Sequence, residues 1–316
     1  MRAAVLHSPG QPLVLEERQD LQAEGAQRVL RVLAAGVCHS DLHMIDGAIG
    51  GPLPRVLGHE IAGHLQGAGN VLVYPCWSDG TCEYCRRGLQ QLCPAAAEPG
   101  WAVDGGFAEQ LLVPHPRFLL PLGGLDPVRA APLADAGVTS YRAVSRALPW
   151  LRPGVTALVI GAGGLGQFAI QYLRLLTAAT VVAVDPSEAK RRRALSLGAR
   201  DVAAPGDDLP AAEAVFDFVG SDATLRQAAE HVLPAGVVMV AGEAGGRIPF
   251  GFRLVPYEAH LTSSVWGSVE DLRAVLGIAR RGELTWDVEP VPLAQANEAL
   301  SRLRNGEVAG RIVLIP

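Results

Sequence analysis

The stretch from Val155 to Asp185 constrains the fold more tightly than any other. Val155-Thr-Ala-Leu-Val-Ile160 and Thr180-Val-Val-Ala-Val184 are short, unbroken apolar runs, the pattern of strands buried on both faces. Between them lie Gly161-Ala-Gly-Gly-Leu-Gly166 and a segment of helical period, Gln167 to Leu176, and the second run stops at Asp185. Strand, glycine turn, helix, strand and acid, in that order, make a dinucleotide-binding unit. Gly161 permits the tight turn, Gly163 and Gly164 let backbone N–H groups approach a pyrophosphate, and Gly166 lets the helix pack closely on the strand. Leu165, the remaining residue of the turn, is a further coenzyme-binding candidate; the helix N-terminus carries the anion, and Asp185 accepts a bond from an adenosine ribose hydroxyl. A carboxylate there repels a 2′-phosphate, so NAD is expected rather than NADP. The basic run Lys190 to Arg193 reads as the solvated face of a helix capped at Ser187.

Further parallel strands are expected at Val215–Val219, Val237–Ala241 and Leu261–Val265. Ligands bind at the carboxyl ends of such strands, so Val219, Ala241 and Val265 are expected to border the nicotinamide. At 316 residues the chain is long for a single core, and two domains are expected. The net charge of −5 argues against nucleic acid as a partner. No charged and apolar leader follows Met1, and no apolar run reaches the roughly 18 residues of a membrane span, so the expected location is the cytoplasm. Four of the five cysteines fall between Cys76 and Cys93, a pattern that suits metal better than disulfides in a reducing compartment.

Residues 1–35 alternate and turn as strands of a barrel-like domain do. Two polar clusters follow, Cys38-His-Ser-Asp-Leu-His43 and Gly58-His59-Glu60. Then comes Asp79-Gly-Thr-Cys82-Glu-Tyr-Cys85, with Cys93 eight residues on. This spacing marks a closed structural zinc site needing four donors. Asp79 continues the rhythm backwards and is the favoured fourth donor. Cys76, a softer ligand that lies off the rhythm, is the alternative.

These residues, with Asp104-Gly-Gly-Phe-Ala-Glu109, the segment Ala131 to Tyr141 and Gly310-Arg311, resemble the zinc-dependent medium-chain alcohol dehydrogenases over nearly the whole chain. The resemblance implies an α/β protein with two domains. One is a β-rich chaperonin-10-like catalytic domain, residues 1–133 with 268–316, carrying a zinc lobe at 76–93. The other is a doubly wound Rossmann nucleotide domain, residues 134–267. It implies two Zn²⁺ ions, one catalytic and one structural, and NAD as cofactor, with metal and coenzyme meeting between the domains.

The same resemblance gives the catalytic zinc Cys38, His59 and a third ligand that is Cys in many members and here is Asp135. The alternative is that Asp135 caps the following helix and Glu60 or water closes the metal. Ser40 would take the alcohol proton and pass it by way of the nicotinamide ribose to His43. Arg311 would pair with the pyrophosphate, while His39 would meet the phosphates or simply face solvent. Asp41 and Glu60 would orient the ligands or form plain salt bridges. Trp101, Phe107 and Trp266 are candidates for the pocket wall.

The implied reaction is reversible hydride transfer between a primary or secondary alcohol and NAD⁺, giving an aldehyde or ketone. The rival activities are polyol or amino-alcohol oxidation, and, outside enzymes, a silent NAD- and zinc-binding protein. Homodimers or homotetramers are implied, joined along 247–265. The connections His64–Val71 and Asp201–Ala214 are shorter than the family pattern, a feature associated with thermal stability.

Overall fold

A computed structural model describes residues 1–316. The chain forms two compact units. The first takes Met1–Asp135, Gly267–Glu283 and Asp287–Pro316, and the second takes Ala136–Trp266 with Leu284–Trp286.

The first unit begins with eight strands: β1 (Arg2–Leu6), β2 (Val14–Glu17), β3 (Arg28–Gly36), β4 (Arg55–Val56), β5 (Glu60–Leu65), β6 (Gly69–Val73), β7 (Gln110–Val113) and β8 (Leu119–Pro121). Among them lie α1 (His39–Ile45) and the single turns α2 (Glu83–Arg86) and α3 (Pro127–Ala130). β1, β2 and β4 make a small sheet, while β3, β5, β6 and β8 run side by side in a larger one, with β7 also on β3. The connection between β5 and β6 is only Gln66-Gly67-Ala68, the trimmed turn read from the sequence.

The second unit begins with α4 (Ala136–Ala147). Six strands follow, β9 (Thr156–Ile160), β10 (Thr180–Val184), β11 (Asp201–Ala203), β12 (Ala212–Asp217), β13 (Val232–Val240) and β14 (His260–Ser263), with helices α5 (Gly166–Leu176), α6 (Glu188–Leu197) and α7 (Asp222–His231). The sheet is wholly parallel in the order β11-β10-β9-β12-β13-β14. Leu158, Ile160, Val182, Val184, Val215 and Val238 fill its core, which is why these runs are apolar at every position. No helix joins β11 to β12, in keeping with the short segment between Asp201 and Ala214.

Three strands differ from expectation. The run expected at Val215–Val219 ends at Asp217, whose carboxylate captures the N–H groups of Val219 and Gly220 and turns the chain there. The strand expected at Val237–Ala241 starts earlier, at Val232, and ends at Val240. β14 ends at Ser263, two residues before Val265.

The remaining chain contributes α8 (Val269–Arg280), β15 (Val288–Pro292), α9 (Ala296–Arg304) and β16 (Arg311–Ile315). β16 pairs with β3, Val313 opposite Gly36, and so brings Arg311 back to the first unit's sheet. Gly36 lies opposite Glu60 across β3 and β5. A Cβ on Gly36 would fall 1.9 Å from Glu60 Oε2, so glycine there leaves the volume that the Glu60 side chain fills.

Candidate metal centres and dinucleotide site

Two groups of donors form within the first unit. Cys38, His59, Glu60 and Asp135 each offer one atom, all within 4.8 Å of one another, and all four residues are buried. Cys38 ends the loop before α1, His59 immediately precedes β5, and Asp135 is the last residue of the unit. Asp135 Oδ2 lies 3.4 Å from both Cys38 Sγ and His59 Nε2. For nitrogen and oxygen that is long for a hydrogen bond. Tetrahedral zinc, with bonds of about 2.3 Å to sulfur and 2.0–2.1 Å to nitrogen or oxygen, would hold such donors ~3.3–3.6 Å apart. The observed separations match the edges of such a tetrahedron, so these donors fit the ion.

The charges point the same way. Burial pushes the Cys38 thiol up, and the Asp135 carboxylate beside it adds to the rise. Burial also opposes charge on His59, yet Asp135, Asp41 and Cys38 together hold its imidazolium well above the usual range. A pocket of acids that favours protonation of all its thiol and imidazole donors is one that a cation would relieve.

The supports are specific. Asp41, in the first turn of α1, accepts the N–H groups of Cys38 (2.9 Å) and Gly58 (3.3 Å), and its Oδ1 lies 3.6 Å from His59 Nδ1. It thus ties both loops that carry ligands and orients the imidazole. Glu60 Oε1 is ion-paired with Arg311, and both are buried. Glu60 Oε2 has no hydrogen-bond partner, and the carboxylate offers one oxygen to the donor group. Burial pushes the Glu60 carboxyl up, to about 7, against the pull of Arg311. The observed partner of Arg311 is thus the Glu60 carboxylate, a member of the candidate donor group.

Ser40 and His43 are both half-buried on α1, three residues apart and so on one face. Ser40 Oγ lies 3.8 Å from Cys38 Sγ, whereas His39 faces outward. Trp101 meets the His59 ring edge-on, centroids 5.3 Å apart. Phe107 is fully buried beneath Gly58, where a Cβ would meet its ring at 2.4 Å. That makes it core rather than pocket wall, and it supports the turn before His59. Trp266 is also buried.

The second donor group is Asp79, Cys82, Cys85 and Cys93, again within 4.8 Å. Asp79 Oδ1 accepts the N–H groups of Cys82 (3.0 Å) and Thr81 (2.7 Å), which hold its carboxyl well below the usual range. Cys82 caps α2 and its sulfur accepts the N–H of Cys85 at 3.4 Å, so the single turn presents both thiols to one point. Cys76 lies outside the group. It is buried beside Tyr74, and burial pushes its thiol well up. Arg117, stacked on Phe118, holds the carbonyl of Ser78 and fixes the neck of the lobe.

In the second unit the glycine turn follows β9. Gly161 has φ +87°, and a Cβ on Gly166 would fall 1.9 Å from Gly161 O. Around Gly163 the space is open, the nearest atom to a Cβ being Lys190 Nζ at 3.9 Å. This is a cradle for an anion ahead of the first turn of α5, and it fits a dinucleotide pyrophosphate. Gly164 and Leu165 lead directly into α5, Leu165 as its capping residue. Asp185, at the end of β10, accepts the N–H groups of Ala162 (2.9 Å) and Ser187 (2.8 Å). Val219, Ala241 and Val265 follow β12, β13 and β14, with Val219 and Val265 exposed. Lys190 belongs to the site rather than to a plain basic surface; its signal in the sequence is its place in the first turn of α6, five residues after Asp185, from which its cation reaches the glycine cradle.

Residues 25–123 match the alcohol dehydrogenase GroES-like domain and residues 164–281 the zinc-binding dehydrogenase domain. The chain is 35% identical to an NAD-dependent alcohol dehydrogenase of Sulfurisphaera tokodaii, with all of both chains covered. It is 34% identical to a D-arabinose 1-dehydrogenase (NADP(+)) of Saccharolobus solfataricus, covering all of this chain and 97% of that one. The crystal structure of the alcohol dehydrogenase from the hyperthermophilic archaeon Aeropyrum pernix matches with a TM-score of 0.93 at 35% identity, again over 100% of both chains. The chain belongs to the zinc-binding alcohol dehydrogenases of the medium-chain dehydrogenase/reductase superfamily. Its two domain types are the GroES-like and Rossmann-like folds of that family.

Proposed function

We propose that this protein oxidises a primary or secondary alcohol to an aldehyde or ketone with NAD⁺, reversibly. Cys38, His59 and Asp135 hold the catalytic zinc, with Glu60 behind them, and Asp79, Cys82, Cys85 and Cys93 hold the structural one. The observation that carries this reading is the pair of 3.4 Å separations at Asp135 Oδ2. Zinc in such a site would supply Lewis acidity, which brings the pKa of bound water down to about 7 and would act in the same sense on an alcohol. Ser40 accepts the hydroxyl proton as it releases its own toward the nicotinamide ribose and His43. His43, one turn further along α1 and half-exposed, exchanges it with solvent. Asp41 keeps His59 oriented throughout. His43→Ala is expected to lower kcat and move the pH optimum upward, while an unchanged pH–rate profile would remove His43 from the relay.

Asp185 favours NAD over NADP, because a fixed carboxylate at the ribose repels a 2′-phosphate. The similarity to a D-arabinose dehydrogenase supports a second reading, oxidation of a sugar or polyol. NADH formation across short primary and secondary alcohols, polyols, amino alcohols and D-arabinose, with each coenzyme, separates these. No turnover by protein carrying both zincs and binding NAD would leave the silent reading.

The outer edge of β14 is unpaired, and Phe250, Phe252, Leu254 and Tyr257 stand exposed just before it, Phe252 by 85%. Aromatic surface of this kind marks an association site, which supports a homodimer or homotetramer joined along 247–265. Phe252→Asp is expected to shift the species seen by analytical ultracentrifugation toward monomer, and an unchanged sedimentation profile would place the interface elsewhere. No helix is long and apolar enough to cross a membrane.

A further inference from the structure

At the end of β12 one buried residue holds together two of the turns expected to contact the coenzyme. Asp217 Oδ1 accepts the N–H groups of Val219 (2.8 Å) and Gly220 (2.9 Å). Its backbone carbonyl accepts those of Ala241 (2.9 Å) and Gly242 (3.0 Å), which follow the neighbouring strand β13. The two turns are then locked backbone to backbone. Ala244 N–H donates to Val219 O at 3.0 Å, and Gly246 N–H to Gly220 O at 2.8 Å. A Cβ on Gly220 would fall 2.1 Å from Gly242 O, and one on Gly242 would fall 2.3 Å from Val219 N.

This staple sits where the strand order reverses. β10 and β11 lie to one side of β9, while β12, β13 and β14 lie to the other. The crevice at such a switch point, beyond the carboxyl ends of the strands, is where a dinucleotide binds. Phe218 N–H donates to Ile160 O at 2.9 Å, and Val219 Cγ2 lies 2.8 Å from where a Cβ on Gly161 would be. The turn that Asp217 holds therefore abuts the glycine turn itself. Asp217 is fully buried and its Oδ2 has no hydrogen-bond partner. A neutral acceptor would bind the same two N–H groups without burying a charge. A carboxylate makes those bonds charge-assisted and stiffer.

We propose that Asp217 is a positioning residue for the coenzyme, setting the Val219–Gly220 and Ala241–Gly242 turns against the glycine turn so that the NAD crevice is formed before binding. This rests on the NAD reading above. In the two-zinc enzyme, Asp217→Ala is expected to raise the Kd and KM for NAD about tenfold or more, the scale of losing charge-assisted anchors. KM for the alcohol and zinc content should be unchanged. Asp217→Asn, which keeps an acceptor at the same place, should restore affinity to within about threefold. A folded Asp217→Ala with native NAD affinity would overturn the proposal.

Amide hydrogen exchange on the unaltered enzyme gives a second reading should the Ala variant fail to fold. NAD is expected to slow exchange at Val219, Gly220, Ala241 and Gly242 together. Protection confined to 161–166 would overturn the role given to Asp217. If the unaltered enzyme binds no NAD at all, it is the coenzyme assignment that fails.

Discussion

Asp135→Ala is expected to reduce the zinc content from two ions per chain, one for each donor group, to one. It should also lower kcat/KM for the alcohol by at least about a thousandfold, because groups that merely orient a metal ligand are already worth about 10–100-fold. Loss of the carboxylate leaves Cys38 and His59 as the remaining pair at the tetrahedron. Burial already pushes the Cys38 thiol up, so without the ion it returns to the neutral form and the site has no reason to refill. The lobe should keep its zinc, since none of its donors touches Asp135. Metal analysis of the purified variant decides the matter. Two zincs retained would mean that Asp135 is not a ligand and that Glu60, whose carboxylate belongs to the same group, closes the site.

Arg311→Met is expected to cost on the order of 3–5 kcal/mol of stability in the first unit, the effect of stranding one member of a buried ion pair. Glu60 is fully buried, and Arg311 Nη2 is the donor to its Oε1. With methionine at 311 the carboxylate loses its paired guanidinium, and burial, which already pushes its carboxyl up to about 7, would drive it toward the neutral acid. Replacing both residues, as Glu60→Met with Arg311→Met, should recover most of the loss, since a packed apolar pair of similar volume removes the desolvation penalty altogether. Denaturant unfolding of the two variants followed side by side tests this. Equal destabilisation by the single and double replacements would show that packing around Arg311, and not its charge, matters there.

Much of this architecture was legible in the residues because the signals were local. The glycine turn between two apolar runs specifies the parallel sheet around β9 and β10, since only strands buried on both faces tolerate such sequences and only glycine fits at 161 and 166. The lobe was legible from the Cys82, Cys85 and Cys93 spacing, which one turn of helix converts directly into geometry. The choice between Asp79 and Cys76 was not decidable from spacing, because it depends on which way the chain turns after Trp77. In the structure Arg117 grips Ser78, Asp79 faces the thiols and Cys76 packs inward beside Tyr74.

What escaped the sequence was long-range. Arg311 and Glu60 are 251 residues apart and meet because β16 pairs with β3. The role of Asp217 depends on the register of β12 against β13 and on the backbone approach of Gly220 to Gly242, neither of which leaves a periodic mark. The starts of α7 and α8 are marked locally in the sequence. Ser221 with Thr224 and Ser268 with Asp271 form reciprocal caps at their starts, the local signature of a helix N-terminus.

X-ray absorption at the zinc edge of the native two-zinc enzyme reads the identity of the atoms around each zinc most directly. One sulfur from Cys38 in one site and three from Cys82, Cys85 and Cys93 in the other predict an average of about two sulfurs per zinc, with nitrogen and oxygen completing both shells. An average near two and a half would mean that Cys76 has been drawn in. An average near one and a half would mean that Cys38 binds no metal, and the proposed catalytic centre would be wrong.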